Sequence, residues 1–260
     1  MVEHLKRKKP MYNWIIVLSV IFCQITTIYS QNKPVSPIPE SCSQLVLVVT
    51  PSQESANGKM ICFTRSAAQP EWIQEGDSII VLVGKKGLAW GKGLHDSDDN
   101  MIPIKKEGDG KSPAGAFTLG TAFGYLPAEK LGELKFPYLQ VSQTLECVDD
   151  INSKYYNRLI ERDRVEDKDW QSSERMLLSG IWYELGVVVD HNNDPPQKEG
   201  GSCIFLHNWS DPADSTTGCT AMDRSNMKMI IEWLDIVKHP VLVQLTRDLY
   251  TELRRNWGLP

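Results

Sequence analysis

Eight short runs rich in Val, Ile and other strand-favouring residues recur along this chain, at 45–50, 60–64, 78–83, 116–119, 138–141, 183–189, 202–207 and 241–245. Each is four to seven residues long and is punctuated by Gly, Asn, Ser or Pro. Runs of that length and composition read as strands joined by turns, and a strand is stable only when paired with others. Asn57-Gly58 predicts a tight hairpin turn between the first two. Helical periodicity is confined to the end of the chain. Met227, Ile230, Ile231 and Leu234 fall at i, i+3, i+4 and i+7, which predicts a helix over 225–237, capped by Asp223 or Ser225 and closed by Pro240. A second short helix is predicted over 248–257, with Gly258 and Pro260 ending it. The charged run 161–174 reads as a solvated loop or helix face. The fold expected is mostly β, with a few helices as additions.

The first thirty residues read as a targeting segment. Lys6, Arg7, Lys8 and Lys9 precede an apolar run of about fifteen residues from Trp14 to Ile28, short for a bilayer span of ~20. Ser30 offers a cleavage point before Gln31, while bulky Ile28 at the minus-three position keeps an uncleaved anchor as the alternative. Export to the periplasm or cell envelope is expected, with membrane contact only through that segment. Residues 31–43, stiffened by Pro34, Pro37 and Pro39, read as a linker, and 44–260 as one domain. Removing residues 1–30 takes away four of 28 Lys/Arg and one of 33 Asp/Glu residues, leaving 24 basic against 32 acidic. Nucleic-acid binding relies on basic patches that neutralise phosphates, and this balance speaks against it.

Beyond the targeting segment lie Cys42, Cys62, Cys147, Cys203 and Cys219. Exported proteins tend to oxidise cysteines in pairs, so an odd number leaves one thiol unpaired. If Cys219 is that thiol, Cys42–Cys62 with Cys147–Cys203 is one pairing, although counting fixes no connectivity. Five free, mostly buried thiols is the other reading. Cys219 lies twelve positions after His207, across a loop carrying Asp211, Pro212 and Asp214 that can fold back on itself. A thiol with pKa ~8.5 is only a few per cent thiolate at neutral pH, and a neighbouring imidazole can take its proton and return it to a leaving amine. On a strand over 203–207, Cys203, Phe205 and His207 share one face while Ile204 and Leu206 fill the other. Gly218 lets backbone approach a substrate, and the amides around Gly218 and Cys219 can face an oxyanion.

Other motifs are weaker. The 105–115 segment is rich in glycine and lysine, but a phosphate loop needs glycine where Lys105 stands, so a tight turn between strands is expected. His191 with Asp190, Asp194 and His207 matches no zinc-ligand spacing, and no metal site is expected. Asn208-Trp209-Ser210 is a glycosylation acceptor expected to go unused, because a glycan there would block the cleft beside His207.

A strand ending in His, a short loop, then Thr-x-Gly-Cys and a helix resembles the L,D-transpeptidase catalytic-domain family of bacterial cell-wall enzymes. The likeness runs from about Leu88 to Leu234. It is nearest to members with a Lys-x-Glu-Gly-Asp-Gly-x-x-Pro-x-Gly segment, here Lys105 to Gly115. Asp149-Asp150, Tyr156-Asn157, Ser173-Glu174-Arg175-Met176 and Gly201-Ser202-x-Ile204-Phe205-Leu206-His207 are also similar. The resemblance implies a mostly β sandwich or barrel with peripheral helices and a cleft. It implies acyl transfer on peptidoglycan stem peptides: Cys219 attacks the bond between an L-centre and a terminal D-residue, and His207, held by a backbone carbonyl, acts as base and then acid. An amine from a neighbouring stem then gives a crosslink, whereas water gives trimming. The rival readings are an L,D-carboxypeptidase or endopeptidase and a non-catalytic wall-binding module. No metal or organic cofactor is implied. Thr217 and Ala221 stand where many members carry His and Arg, and Asn208 where glycine often follows the His. Thr217, Trp209 and Arg224 are the expected substrate contacts, with Lys106 and Lys111 as other cations able to anchor a carboxylate.

Overall fold

The computed structural model describes residues 36–95 and 102–260, so the expected targeting segment lies outside the described residues. Its first strands are β1 (Gln44–Thr50), β2 (Asn57–Ser66), β3 (Gln69–Leu82), β4 (Leu88–Trp90), β5 (Ser112–Gly124) and β6 (Tyr138–Gln140). The others are β7 (Leu145–Val148), β8 (Leu159–Glu161), β9 (Ser173–Arg175), β10 (Leu185–Val189), β11 (Phe205–Asn208), β12 (Thr220–Met222) and β13 (Val241–Thr246). The main sheet runs β10-β11-β12-β3-β2-β1-β13-β5, and β5 pairs again with β10, which closes the ring. Closure leaves these eight strands without a free edge. A separate three-stranded sheet, β8-β7-β9, lies outside that ring. The mostly β expectation holds.

Val46, Val48, Met60, Val81, Phe117, Val187, Leu206, Leu242 and their neighbours form the main core. A second, smaller cluster gathers Phe123, Met176, Tyr183, Cys203, Phe205 and Cys219. The alternation expected for 203–207 is thereby visible: Ile204 and Leu206 enter the main core, Cys203 and Phe205 the second cluster. The strand itself starts only at Phe205, because Cys203 adopts φ 54°. Its N–H is held by Asn157 Oδ1 at 2.9 Å, and its sulfur by Cys147.

Several local expectations are corrected. Asn57 and Gly58 are not a turn but the start of β2, opposite Leu82 and Val81, and the reversal falls in 51–56. A Cβ on Gly58 would meet the Val49 carbonyl at 3.2 Å, so close strand approach explains the glycine. β3 is 14 residues long, and pairing to β2 draws polar Glu71, Gln74 and Glu75 into a strand that periodicity alone does not mark. α1 (Arg224–Trp233) starts at the expected Asp223 cap but stops before 237. There the buried Gln44 side chain donates to Trp233 O at 2.7 Å and accepts from Asp235 N at 2.8 Å, satisfying the groups a longer helix would use. α2 (Arg247–Trp257) ends at Gly258 with φ 64°, as its sequence predicts. The latter part of the expected linker is packed down: Ile38 and Cys42 join the core, and Ser36 Oγ donates to Trp257 O at 2.8 Å.

The disulfide joins Cys147 to Cys203. Cys42 and Cys62, expected as one pairing, are free and buried. The register gives the reason. Cys62 lies opposite Val46, whereas Cys42 precedes the first ladder pair, Gln44 with Thr64, so four residues of chain, up to ~13 Å at 3.4 Å per residue, lie between Cys42 and the residue opposite Cys62. A disulfide bridges Cα atoms no more than ~7 Å apart. Peptide mapping without reductant is therefore expected to return one link, Cys147–Cys203. The Cys147→Ser/Cys203→Ser variant should lose roughly 2–4 kcal/mol in denaturant unfolding, the usual range for such a loop. A mapped Cys42–Cys62 link would refute the register argument.

Candidate active site

β11 and β12 run parallel, with Leu206 opposite Thr220 and His207 opposite Ala221. Continuing that register one step back sets Cys219 level with Phe205. Side chains alternate across a strand, so Phe205, His207, Cys219 and Ala221 all turn to one face. The Phe205 N–H donates to Cys219 Sγ at 3.4 Å, and the thiol donates to Cys203 O at 3.4 Å. Two hydroxyls hold the turn before β12: Thr216 Oγ1 and Ser112 Oγ donate to Cys219 O at 2.6 and 3.0 Å. Gly218 packs tightly, since a Cβ there would meet Ile204 Cδ1 at 3.1 Å. The amides of Gly218 and Cys219 take part in none of the backbone hydrogen bonds that tie the surrounding loops.

This face is the floor of a cleft of about 280 Å³. Cys219 is 8% exposed, so a reactant reaches its sulfur only by way of that cleft. Thr217, Gly218 and Trp209 line the cleft, as do His207 and Ala221. Arg224 does not: it pairs with Glu184 at 2.8 Å. Lys106 and Lys111 are likewise absent from the lining, and Lys111 Nζ donates to Lys86 O at 2.7 Å. Lys105, which sequence reasoning passed over, is the one Lys or Arg among the lining residues. Its buried Nζ donates to Asp109 Oδ1 at 2.8 Å and to Lys106 O at 2.7 Å. Asp109 also accepts from the amides of Lys106 and Lys111, so the Gly-rich segment is a turn built around one carboxylate.

The segments that seemed only supportive in sequence converge here. Glu107, Asp149, Glu174 and Ser202 all line the cleft. Tyr156 and Ser202 donate to Glu107 Oε2 at 2.5 and 2.7 Å. Asn157, at φ 61°, donates to His191 O and Asn192 O and accepts from Cys203 N. The 161–174 run is not simply solvated: Trp170 is buried on Glu146, and Glu174 faces the cleft. Tyr183, expected as the first residue of a strand, instead ends a 3-10 turn, and its hydroxyl donates to Glu174. Nothing in the sequence marks Tyr183 apart from other aromatic residues, and the likeness of Ser173-Glu174-Arg175-Met176 gives Glu174 no role.

Burial dominates the electrostatics. It pushes the Cys219 thiol well above its ordinary range, and the Glu174 charge adds to this. The Phe205 amide, the Lys105 charge and the Tyr183 hydroxyl oppose it. Burial likewise lifts Glu174 to about 7, with Asp149 and Glu107 adding repulsion against the Tyr183 hydrogen bond. His207 is pulled down to about 4 by burial, against the Asn208 and Trp182 carbonyls. Its Nδ1 lies 2.9 Å from Asn208 O, so a backbone carbonyl orients the ring, as the resemblance implied. Asn208 is itself buried: Oδ1 accepts from Leu185 N at 3.0 Å and Nδ2 donates to Ile181 O, which leaves no amide for a glycan. His191 is spent on backbone, with Nε2 2.9 Å from Gly200 O and Nδ1 accepting from Lys92 N at 3.3 Å.

A family-wide sequence model of the YkuD L,D-transpeptidase catalytic domain matches residues 61–243. No curated protein sequence matches. Among solved structures, the helical cell shape determining protein Pgp2 from Campylobacter jejuni aligns at 13% identity with a TM-score of 0.37. That alignment covers 82% of this chain and 51% of Pgp2, so this chain spans about half of that protein's length.

The His207 ring is expected to titrate near pH 4 by NMR, not near the free value of ~6.5. Folding favours its neutral form, so this histidine's contribution to stability is present above ~6.5 and is lost as pH falls through about 4. Titration at the free value would show the ring to be solvated.

Proposed function

Because the chain belongs to the L,D-transpeptidase catalytic-domain family, we propose that it is an exported cysteine acyltransferase acting on peptidoglycan stem peptides. The observation that carries this reading is the unpaired Cys219 thiol sharing one face of the β11–β12 ladder with His207, at the floor of an enclosed cleft. A binding module has no use for that pairing.

In this reading the Cys219 sulfur attacks the carbonyl between an L-centre and the terminal D-residue. The S–C bond forms, and the carbonyl oxygen becomes an oxyanion facing the Gly218 and Cys219 amides. Collapse breaks the C–N bond, and the proton lost by sulfur is returned through His207 to the departing amine. An amine from a neighbouring stem, or water, then releases the thioester. Lys105 serves as the anchor for a substrate carboxylate. An ammonium has three donors, and two are already used by Asp109 and Lys106, which leaves one for the cleft. Ala221, opposite His207, leaves open the room that a longer side chain would fill. The basic-then-apolar N-terminus and the Cys147–Cys203 disulfide support export, since disulfides persist in oxidising compartments.

Incubation with tetrapeptide muropeptides, followed by mass spectrometry, tests the reading. Crosslinked dimers are expected, and tripeptides alone would make the protein a hydrolase. Cys219→Ala should abolish product and His207→Gln should slow its formation by about 10²–10⁴-fold. Turnover retained in Cys219→Ala would remove the nucleophile assignment.

A further inference from the structure

Cys203 is neither the nucleophile nor the base, yet it is held at its nitrogen, its sulfur and its oxygen. Its N–H donates to Asn157 Oδ1 at 2.9 Å, its sulfur is bonded to Cys147, and its carbonyl accepts from the Cys219 thiol at 3.4 Å. It also lines the cleft in which Cys219 lies. A thiol has one hydrogen to donate, and Cys219 directs it to this carbonyl while its sulfur accepts from the Phe205 N–H. These two bonds set the direction of the Cys219 side chain.

The carbonyl reaches the thiol from a left-handed backbone, with Cys203 at φ 54°. For a residue with a β-carbon that conformation costs about what one hydrogen bond returns, so the contact with Asn157, itself at φ 61°, does not lock it. The covalent bond does. Cys147 lies in the middle strand of the three-stranded sheet, opposite Leu159 of β8 and Glu174 of β9, and is buried. Its sulfur therefore ties Cys203 to a second sheet.

We propose that Cys203 is a positioning residue for the nucleophile and that its bond to Cys147 is a redox gate, so that Cys219 is aimed for acyl transfer only in the oxidised protein. Reduction breaks the S–S bond, and each sulfur gains one electron and one proton from a dithiol, which itself becomes a disulfide. Cys203 then relaxes from its left-handed conformation, its carbonyl leaves the thiol, and Cys219 keeps only the Phe205 contact. Misplacing a reacting atom by about 1 Å costs ~10²-fold in rate, so the gate acts on turnover rather than on substrate affinity. Because Cys203 lines the cleft, a small dithiol has a route to the bond. The gate rests on the acyl-transfer reading for its substrate alone.

A second effect has the opposite sign. A carbonyl that accepts from S–H stabilises the neutral thiol and disfavours the thiolate, so its withdrawal makes the sulfur easier to ionise and to alkylate. The gate thus predicts slower acyl transfer together with faster alkylation of Cys219. An inert crosslink would change neither in a folded protein. A loosened fold would also expose Cys42 and Cys62, which are free and buried.

Both rates are measured on the whole protein with the disulfide intact, and again after dithiothreitol treatment and removal of the reductant. They are measured too in Cys147→Ala/Cys203→Ala and Cys147→Ala/Cys203→Gly, well below each unfolding midpoint. The reduced protein and the Ala pair should lose roughly tenfold or more in kcat on tetrapeptide muropeptides, with KM changed by less than about twofold. Iodoacetamide alkylation of Cys219, read by peptide mass spectrometry, should rise several-fold while that of Cys42 and Cys62 stays level. The Gly pair adopts φ > 0 freely, so it should recover part of the kcat and slow Cys219 alkylation toward that of the oxidised protein. Unchanged kcat in the folded, reduced protein overturns the gate, as does Cys219 alkylation that fails to rise, or a Gly pair no better than the Ala pair. If the oxidised protein forms no product while alkylation shifts as expected, the acyl-transfer reading falls and the hold of Cys203 on the thiol stands.

Discussion

The parallel pairing of β11 with β12 is the constraint on which the site depends. Parallel neighbours cannot be joined by a tight hairpin, so the chain must leave the sheet and return from the opposite end. Residues 209–219 make that excursion, and its last residue is Cys219. Register then does what no local motif can: it sets Cys219 level with Phe205 and His207 level with Ala221, so that thiol and imidazole stand two positions apart on one face. A one-residue slip would turn Cys219 and Ala221 into the core and Thr220 into the cleft. Two features resist that slip. Thr220 is tied in the core to Gln244 of β13 at 2.8 Å, and the Cys219 carbonyl is held by two hydroxyls.

The small β8-β7-β9 sheet matters because of what it carries to the ladder. Asp149 follows β7, and Glu174 lies on β9. The Cys147–Cys203 bond joins this sheet to the segment entering β11. Buried carboxylates repel one another and lose hydration, a cost that scatters them unless something fixed holds them together. Here hydrogen bonds do part of that work, with Tyr156 and Ser202 on Glu107 and Tyr183 on Glu174, while Asp149 Oδ1 is left without a partner. Anionic groups this close to a thiol oppose its ionisation, and Lys105 offsets them only in part. The thiol is therefore not a resting thiolate. Its reactivity has to be drawn out during attack by a group that can accept a proton.

Much of this was legible in sequence for definite reasons. Period-two burial shows where a strand has one face in the core, as at Gly58, Met60 and Cys62 in β2, and an i, i+3, i+4 apolar spacing shows for Met227, Ile230 and Ile231. The Asp223 cap and the Gly258 stop are local chemistry and read directly. His207, Gly218 and Cys219 were legible as a set because the excursion between parallel strands keeps them close in sequence. The Cys147–Cys203 link emerged from counting but needed three dimensions to separate it from its companion pairing, which the β1–β2 register forbids.

What escaped were residues whose role comes from long-range pairing. The first half of β3 is polar and mostly exposed, and only its partner β2 makes it a strand. Asn57-Gly58 has the composition of a turn, yet the ladder overrides it because the same glycine also permits close strand approach. Arg224 looked like a carboxylate anchor through its nearness to Cys219 in sequence, but a helix start points it to Glu184. Glu174 is the sharpest case. In a run containing Glu161, Asp163, Glu166, Asp167 and Asp169 it is one acid among several, and the Ser173-Glu174-Arg175-Met176 likeness marks the segment without giving this side chain a role. Its distinction is that Cys147 lies opposite it on β7 and is itself bonded to the residue whose carbonyl meets the thiol. A sequence shows the charge, whereas the ladder and the disulfide decide which charge faces the sulfur.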